Sequence, residues 1–257
     1  MGFLRYVAVG DSQTEGMNDG DEATGYRGWA DRLAELLAAE EPGFRYANLA
    51  VRGRLTAEIR AEQVGPALAL APDLVTVMAG MNDLVRPSFD AAAVAADLDA
   101  TYAAFASSGA TVVTFTFPDL GRIAPLARRF VPRVVDLNAR IRASAARHGV
   151  LVVDTFGHDV TVDPRLWSAD RIHAAPLGHA RIASVVAHTL GLPGPHAAWT
   201  EPLPPLPRPS ALSGVYREAA WAAATLAPWA LRRLRGVSSG DGRTAKRPEL
   251  LPVLPQG

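Results

Sequence analysis

Residues 6 to 16 read YVAVGDSQTEG, and the reading of that stretch decides the fold. Tyr6-Val7-Ala8-Val9 is a short apolar run carrying two β-branched residues, which is the pattern of a buried strand. Gly10 and Asp11 stop it, because both favour turns. Ser12 therefore lies just past the C-terminal end of a first strand, with a helix to follow. In open parallel sheets that edge is where ligands bind. A hydroxyl placed there can act as a nucleophile whose neighbouring backbone N–H groups face the reacting group. Gly-Asp-Ser is equally a turn followed by a helix cap, and the tripeptide alone does not separate the two.

Outward from this stretch, strands and helices alternate. Trp29 to Ala39 carries Trp29, Leu33, Leu36 and Leu37 at helical spacing. Arg45 to Leu49 reads as a second strand. Thr56 to Leu70 reads as a helix with Thr56 as its cap. Leu74 to Met78 is a third strand, Asp90 to Ser107 an alanine-rich helix, and Thr111 to Phe117 a fourth strand. Pro132 to His148 is the next helix, Val150 to Val153 the fifth strand and Pro176 to Leu190 a last helix. The strands are continuous apolar runs, so they belong to a parallel sheet covered on both faces by helices, a three-layer α/β/α arrangement with five strands. Right-handed crossovers put the C-terminal end of every strand on one edge. The segments beginning near Ser12, Arg52 and Gly80 then share one side of the molecule.

Composition narrows the chemistry. The 257 residues hold 26 basic and 26 acidic side chains, a formal net charge of +0, so the balance does not point to nucleic acid. There is no cysteine, which excludes disulfides, thiolate metal sites and cysteine nucleophiles. There is no His-Glu-x-x-His pattern and no compact ligand cluster, so no metal and no cofactor is expected. The first strand begins almost at once, without a long apolar run, and the cytoplasm is the default expectation. Nothing in the sequence specifies an oligomeric state.

Three further segments stand at the same sheet edge. Asn48-Leu-Ala-Val-Arg-Gly53 follows the second strand, and Gly53 can bring its backbone N–H close to a ligand or serve only as a loop glycine. Gly80-Met-Asn-Asp83 follows the third strand, where Asn82 offers an amide donor or ordinary turn chemistry. Asp170-Arg-Ile-His173 precedes the last helix. A carboxylate three residues before an imidazole can hold Nδ1–H and leave Nε2 free to take a proton from a serine. Of six histidines, only His173 has a carboxylate three positions before it; His158, near Asp154 and Asp159, is the second choice of base. The loop from Asp119 to Pro132, with Arg122, Arg128 and Arg129, is a candidate pocket wall.

Taken in order, these segments resemble the four blocks of the SGNH hydrolases, also called the GDSL esterase/lipase family. Gly10-Asp11-Ser12 resembles the nucleophile block, with Gln13 in place of the leucine of the older name. Asn48 to Gly53 resembles the glycine block, Gly80 to Asp83 the Gly-x-Asn-Asp block and Asp170 to His173 the Asp-x-x-His block. Ala174 departs from the proline or leucine frequent after the histidine. The resemblance covers Tyr6 to Leu190. It implies a flavodoxin-like sheet and metal-free hydrolysis of a small-molecule acyl ester. By position it implies Ser12 as nucleophile, His173 as base, Asp170 as its orienter, and Ser12, Gly53 and Asn82 as oxyanion-hole donors. An acyltransferase or thioesterase would use the same residues, and an inactive flavodoxin-like binding module is the alternative from another class.

These readings divide the chain into a hydrolase domain over 1–192, a proline-rich linker over 193–209, a helical segment over 210–235 and a disordered tail over 236–257. In the helical segment, Trp221 and Trp229 beside Arg232, Arg233 and Arg235 suit a membrane surface, a lid, or a helix packed on the domain. Packing is the favoured expectation.

Overall fold

The computed structural model describes residues 2–206, 219–226, 228 and 238–253. Its sheet is built from β1 (Arg5–Gly10), β2 (Arg45–Asn48), β3 (Leu74–Met78), β4 (Thr111–Phe115), β5 (Leu151–Val153) and β6 (Arg247–Pro252). The spatial order is β5-β4-β3-β1-β2-β6. The first five strands are parallel, in the flavodoxin-like order 2-1-3-4-5, so the expected α/β/α layering and parallel core are present.

Alternation along β1 shows how two layers share one strand. Tyr6 and Ala8 pack on one face with Trp29, Leu33, Leu37, Phe115 and Val186. That layer holds α1 (Trp29–Glu40) and α6 (Pro176–Thr189). Val7 and Val9 pack on the other with Ile59, Leu98, Tyr102, Phe105, Leu137 and Ile141. That layer holds α2 (Thr56–Glu62), α3 (Val64–Ala69), α4 (Ala91–Ser107) and α5 (Val131–His148). Burying each large side chain contributes about 1.5–3 kcal/mol, so these two clusters fix where β1 ends and therefore where Ser12 sits.

The structure corrects five expectations. The sheet has six strands, not five, because β6 pairs antiparallel with β2 through Arg45↔Pro252, Tyr46↔Leu251 and Asn48↔Arg247. The disordered tail expected over 236–257 is thus corrected for residues 238–253. β6 reads RPELLP and is mostly exposed, so its own pattern carries no strand signal; it is held by the open edge of β2. Arg247 Nε also donates to Tyr46 O at 2.9 Å, and Lys246 Nζ meets Asp31 Oδ2 at 2.6 Å.

The stretch from 193 to 206, expected as a spacer, packs back on α6. Trp199 is buried there, Arg181 donates to Ala198 O, and Arg165 Nη1 donates to Pro204 O at 2.8 Å. The helix expected over 56–70 is two helices meeting at Gln63. Thr56 is not the cap: its N–H is taken by Asp83 Oδ2 at 3.1 Å. Within the segment expected to be helical, residues 219–226 are helical; the Ser210 cap, Trp229 and the arginines at 232–235 lie outside the described residues. No helix among the described residues is long and apolar enough to cross a membrane.

Candidate active site

β1 delivers the Ser12 turn to the sheet edge at the crossover between β1 and β3. A Cβ on Gly10 would press into Met78 O and the Thr14 hydroxyl, so only glycine fits where the chain leaves the strand. Gln63 grips this point: its Oε1 accepts from Gly10 N at 2.8 Å and its Nε2 donates to Gly10 O at 2.9 Å. Asp11 then caps the single helical turn Ser12–Glu15, accepting from Gln13 N at 3.2 Å. Ser12 is 8% exposed.

The turn before α6 brings the histidine to the serine. Asp170 Oδ2 lies 2.8 Å from His173 Nδ1, and His173 Nε2 lies 3.0 Å from Ser12 Oγ. An ionised carboxylate can only accept, so Nδ1 carries the proton in the neutral ring and Nε2 is left as the acceptor toward the hydroxyl. Asp170 is itself held: Oδ1 accepts from Ser168 Oγ at 2.6 Å and from the backbone N–H of Ile172 and His173 at 2.9 Å each. Asn18 Nδ2 adds a bond to Oδ2 at 2.9 Å.

Asn82 and Gly53 complete the cluster. Ser12, Gly53, Asn82, Asp170 and His173 all line one pocket. Asn82 Nδ2 donates to Asp11 Oδ2 at 3.0 Å and to Arg54 O at 3.1 Å. Gly53 has φ +79°, and a Cβ there would collide with Ser238 Oγ. The structure therefore brings together all five residues singled out in the sequence. His158 is not among them; its ring stands edge-on to Trp199, 4.8 Å away between centroids.

Two carboxyls flank Ser12, and folding shifts them in opposite directions. Burial pushes Asp11 up to about 6, against the bonds from Gln13 and Asn82 and the charge of His173. Burial also opposes ionisation of Asp170, but the hydrogen bond and charge of His173, its backbone N–H and Ser168 outweigh it. Asp170 is held well below the usual carboxylate range. Among the described residues, no group of three His, Asp or Glu side chains is placed to hold a metal ion.

Residues 8–181 match the model of the GDSL-like Lipase/Acylhydrolase family. The chain belongs to that family. It is an SGNH/GDSL-type serine hydrolase acting on carboxylic esters. Among solved structures it is similar to LAE5, an α/β hydrolase from the metagenome of Lake Arreo, Spain, at 24% identity and TM-score 0.61, over 73% of this chain and 95% of that one. It is similar to TesA at 25% identity and TM-score 0.59, over 72% and 97%. The acetylxylan esterase Axe2 from Geobacillus stearothermophilus shares the fold at 19% identity and TM-score 0.62, over 75% and 96%. No curated protein matches the chain.

Within this GDSL hydrolase, sequence reasoning missed the residues that brace the site. Gln13, at the family's leucine position, ties the two turns together: Nε2 donates to Ile172 O at 2.8 Å and Oε1 accepts from Ala174 N at 3.2 Å. A polar residue at an apolar motif position was the available signal. Glu15 and Arg52 form a buried ion pair, and Glu15 Oε2 also accepts from Arg52 N at 2.8 Å, fixing the loop that carries Gly53. His179 is buried and pushed down to about 4 by burial. Its Nδ1 accepts from Trp29 N at 3.2 Å, and its Nε2–H donates to Met17 O at 3.0 Å, which makes it a structural link.

Beside the Ser12 pocket lies a cavity of about 220 Å³ with mostly apolar walls. Asp11, Gln13, Met81, Asn82 and Ile172 line both, so the two are contiguous. The 119–132 loop is indeed part of its wall, through Leu120, Ile123, Ala124, Ala127, Arg129 and Phe130. Arg122 turns away to Asp159 Oδ1 at 2.9 Å.

Proposed function

We propose that the chain hydrolyses a small-molecule acyl ester through an acyl-enzyme on Ser12. The observation that carries this reading is the unbroken line Asp170–His173–Ser12, at 2.8 and 3.0 Å. Serine is a poor nucleophile until a base accepts its proton. As Ser12 Oγ bonds to the carbonyl carbon, its proton passes to His173 Nε2, and the carbonyl π electrons move onto oxygen. Asp170 stabilises the imidazolium and fixes its tautomer. The oxyanion then collapses, the C–O bond to the alcohol breaks, and His173 returns its proton to the leaving oxygen. Water repeats the sequence on the acyl-Ser12 ester and frees the acid.

The oxyanion is met by the backbone N–H groups of Ser12 and Gly53 and by the Asn82 amide. Both Asn82 amide protons already have acceptors, Asp11 Oδ2 and Arg54 O, so the oxyanion takes over one of them. That exchange ties the orientation of Asn82 to the charge on Asp11.

The test is hydrolysis of a nitrophenyl ester series beside Ser12→Ala. The substitution should lower kcat by on the order of 10⁴ or more with the melting temperature unchanged. Mass spectrometry after brief mixing should show the acyl group on the peptide containing Ser12. An unimpaired Ser12→Ala protein would remove the mechanism.

A further inference from the structure

The C-terminal segment returns to the active site, and one residue of it touches both the histidine turn and the apolar cavity. Trp221 is buried; its Nε1–H donates to Asp170 O at 2.7 Å. The Arg171 guanidinium stacks over its ring at 4.9 Å, and Arg171 itself holds a left-handed backbone at φ 55°. The indole lines the 220 Å³ cavity beside Ile172, which also faces the Ser12 pocket. Ala224 and Thr225, on the same helical stretch, line the Ser12 pocket instead. The family match ends at residue 181, and the similar structures leave about a quarter of this chain without a counterpart.

We infer that Trp221 is a specificity-determining residue of the ester-hydrolysing site, forming the wall that lets the cavity take a medium-length saturated acyl chain. The inference rests on the Ser12 reading, because it needs the acyl carbonyl at Ser12 and the chain running past Met81 and Ile172 into the cavity. A water's share of liquid volume is about 30 Å³ and a methylene fills similar space, so the cavity holds on the order of seven such groups. Each methylene moved from water into apolar surroundings is worth about fourfold in an equilibrium or rate constant. An aromatic side chain supplies a large apolar wall with few degrees of freedom. Without the indole, that part of the chain meets solvent and the gain per methylene falls. The bond to Asp170 O is a separate contribution: it steadies the turn that presents His173.

The experiment is kcat/KM for nitrophenyl esters from acetate to dodecanoate, on the unaltered protein, W221A and W221F. The unaltered protein should gain about fourfold per methylene up to roughly eight carbons and then level off. W221A should flatten that rise, with the octanoate-to-acetate ratio at least tenfold lower through KM, beside a loss of kcat common to all chain lengths that it shares with W221F. W221F keeps the apolar wall and loses the N–H, so it should keep the chain-length profile and lose kcat alone. If W221A fails to fold, W221L reads the same slope. Calorimetric binding of butanoate, hexanoate, octanoate and decanoate anions to Ser12→Ala, with and without W221A, needs no turnover. A chain-length rise in binding that W221A removes, when the unaltered protein hydrolyses no ester of the series, would keep the wall and sink the reaction. A W221A slope equal to the unaltered one, or no chain-length dependence in either readout, overturns the inference.

Discussion

Two turns meet at Ser12, and they are built differently. The nucleophile turn, residues 10–16, grows out of a central strand and is buried except at Gln13. Its carboxylate, Asp11, is 3% exposed. The histidine turn, residues 168–173, belongs to no helix or strand, holds Arg171 at φ 55°, and leaves its carboxylate partly open to water, with the Asp170 side chain 27% exposed. Strand ends give precise placement, whereas a loop places a side chain only if hydrogen bonds define it. The bonds onto Asp170 from Ser168, Asn18, Ile172 and His173 supply that definition. The difference is electrostatic as well: folding raises the Asp11 carboxyl and depresses that of Asp170, the one that holds His173 Nδ1.

The sharpest way to break this contrast is Asp170→Asn. It keeps the shape but removes the charge and favours the wrong imidazole tautomer, so kcat should fall by on the order of 10⁴ with little change in melting temperature. A fall of only a few-fold would make the two carboxyls equivalent. Asn82→Ala comes next. As a transition-state donor, its loss should lower kcat by on the order of 10²–10³ and leave KM nearly unchanged. A change confined to KM would make Asn82 a substrate-binding residue.

The third prediction concerns stability against pH. Asp11 is raised to about 6 in the folded protein, above its unfolded value near 3.9, so the folded state holds its proton more tightly. Stability from this group is full below about pH 4 and is lost as pH rises through 6, by about 3 kcal/mol. Asp170, depressed by folding, works in the opposite direction and loses its contribution as pH falls. Denaturant unfolding of the unaltered protein and Asp11→Asn between pH 4 and 7 reads the difference. The two curves should converge or cross as pH rises, and parallel curves would refute the raised pKa of Asp11. His173 and Asp83 also bear on Asp11, so His173→Gln is the control for coupling.

Gln13→Leu gives the smallest effect. It restores the family's leucine and removes the two bonds that tie the turns together, at about 0.5–1.5 kcal/mol each. The melting temperature should drop by a few degrees and kcat only several-fold. An unchanged kcat would mean that His173 is held from its own side alone.

Much of this was legible in the chain. The five parallel strands follow from apolar runs broken by Gly, Pro and Asp, because burial on both faces demands such runs. The residues at the strand ends follow from crossover handedness, which needs no coordinates. Gln63, Glu15 and Arg52 were not legible. Each acts on a backbone group far away in sequence, and an isolated polar residue carries no sign of its partner. Strand β6 was hidden for the same reason: its pairing comes from the edge of β2, while its own prolines and exposed positions argue against a strand.

The sequence by itself determined the alternation of strands and helices and the sheet edge, since periodicity and turn chemistry are local properties; it singled out Ser12, Gly53, Asn82, Asp170 and His173 only through the resemblance of four short segments, in order, to a known family. Only the tertiary structure decided that the Asp11 carboxyl is pushed up while that of Asp170 is pushed down, that Gln13 bridges the turns, and that Trp221 lines the cavity. Desolvation and contact depend on what the rest of the chain packs around a group, and three-dimensional packing alone supplies that.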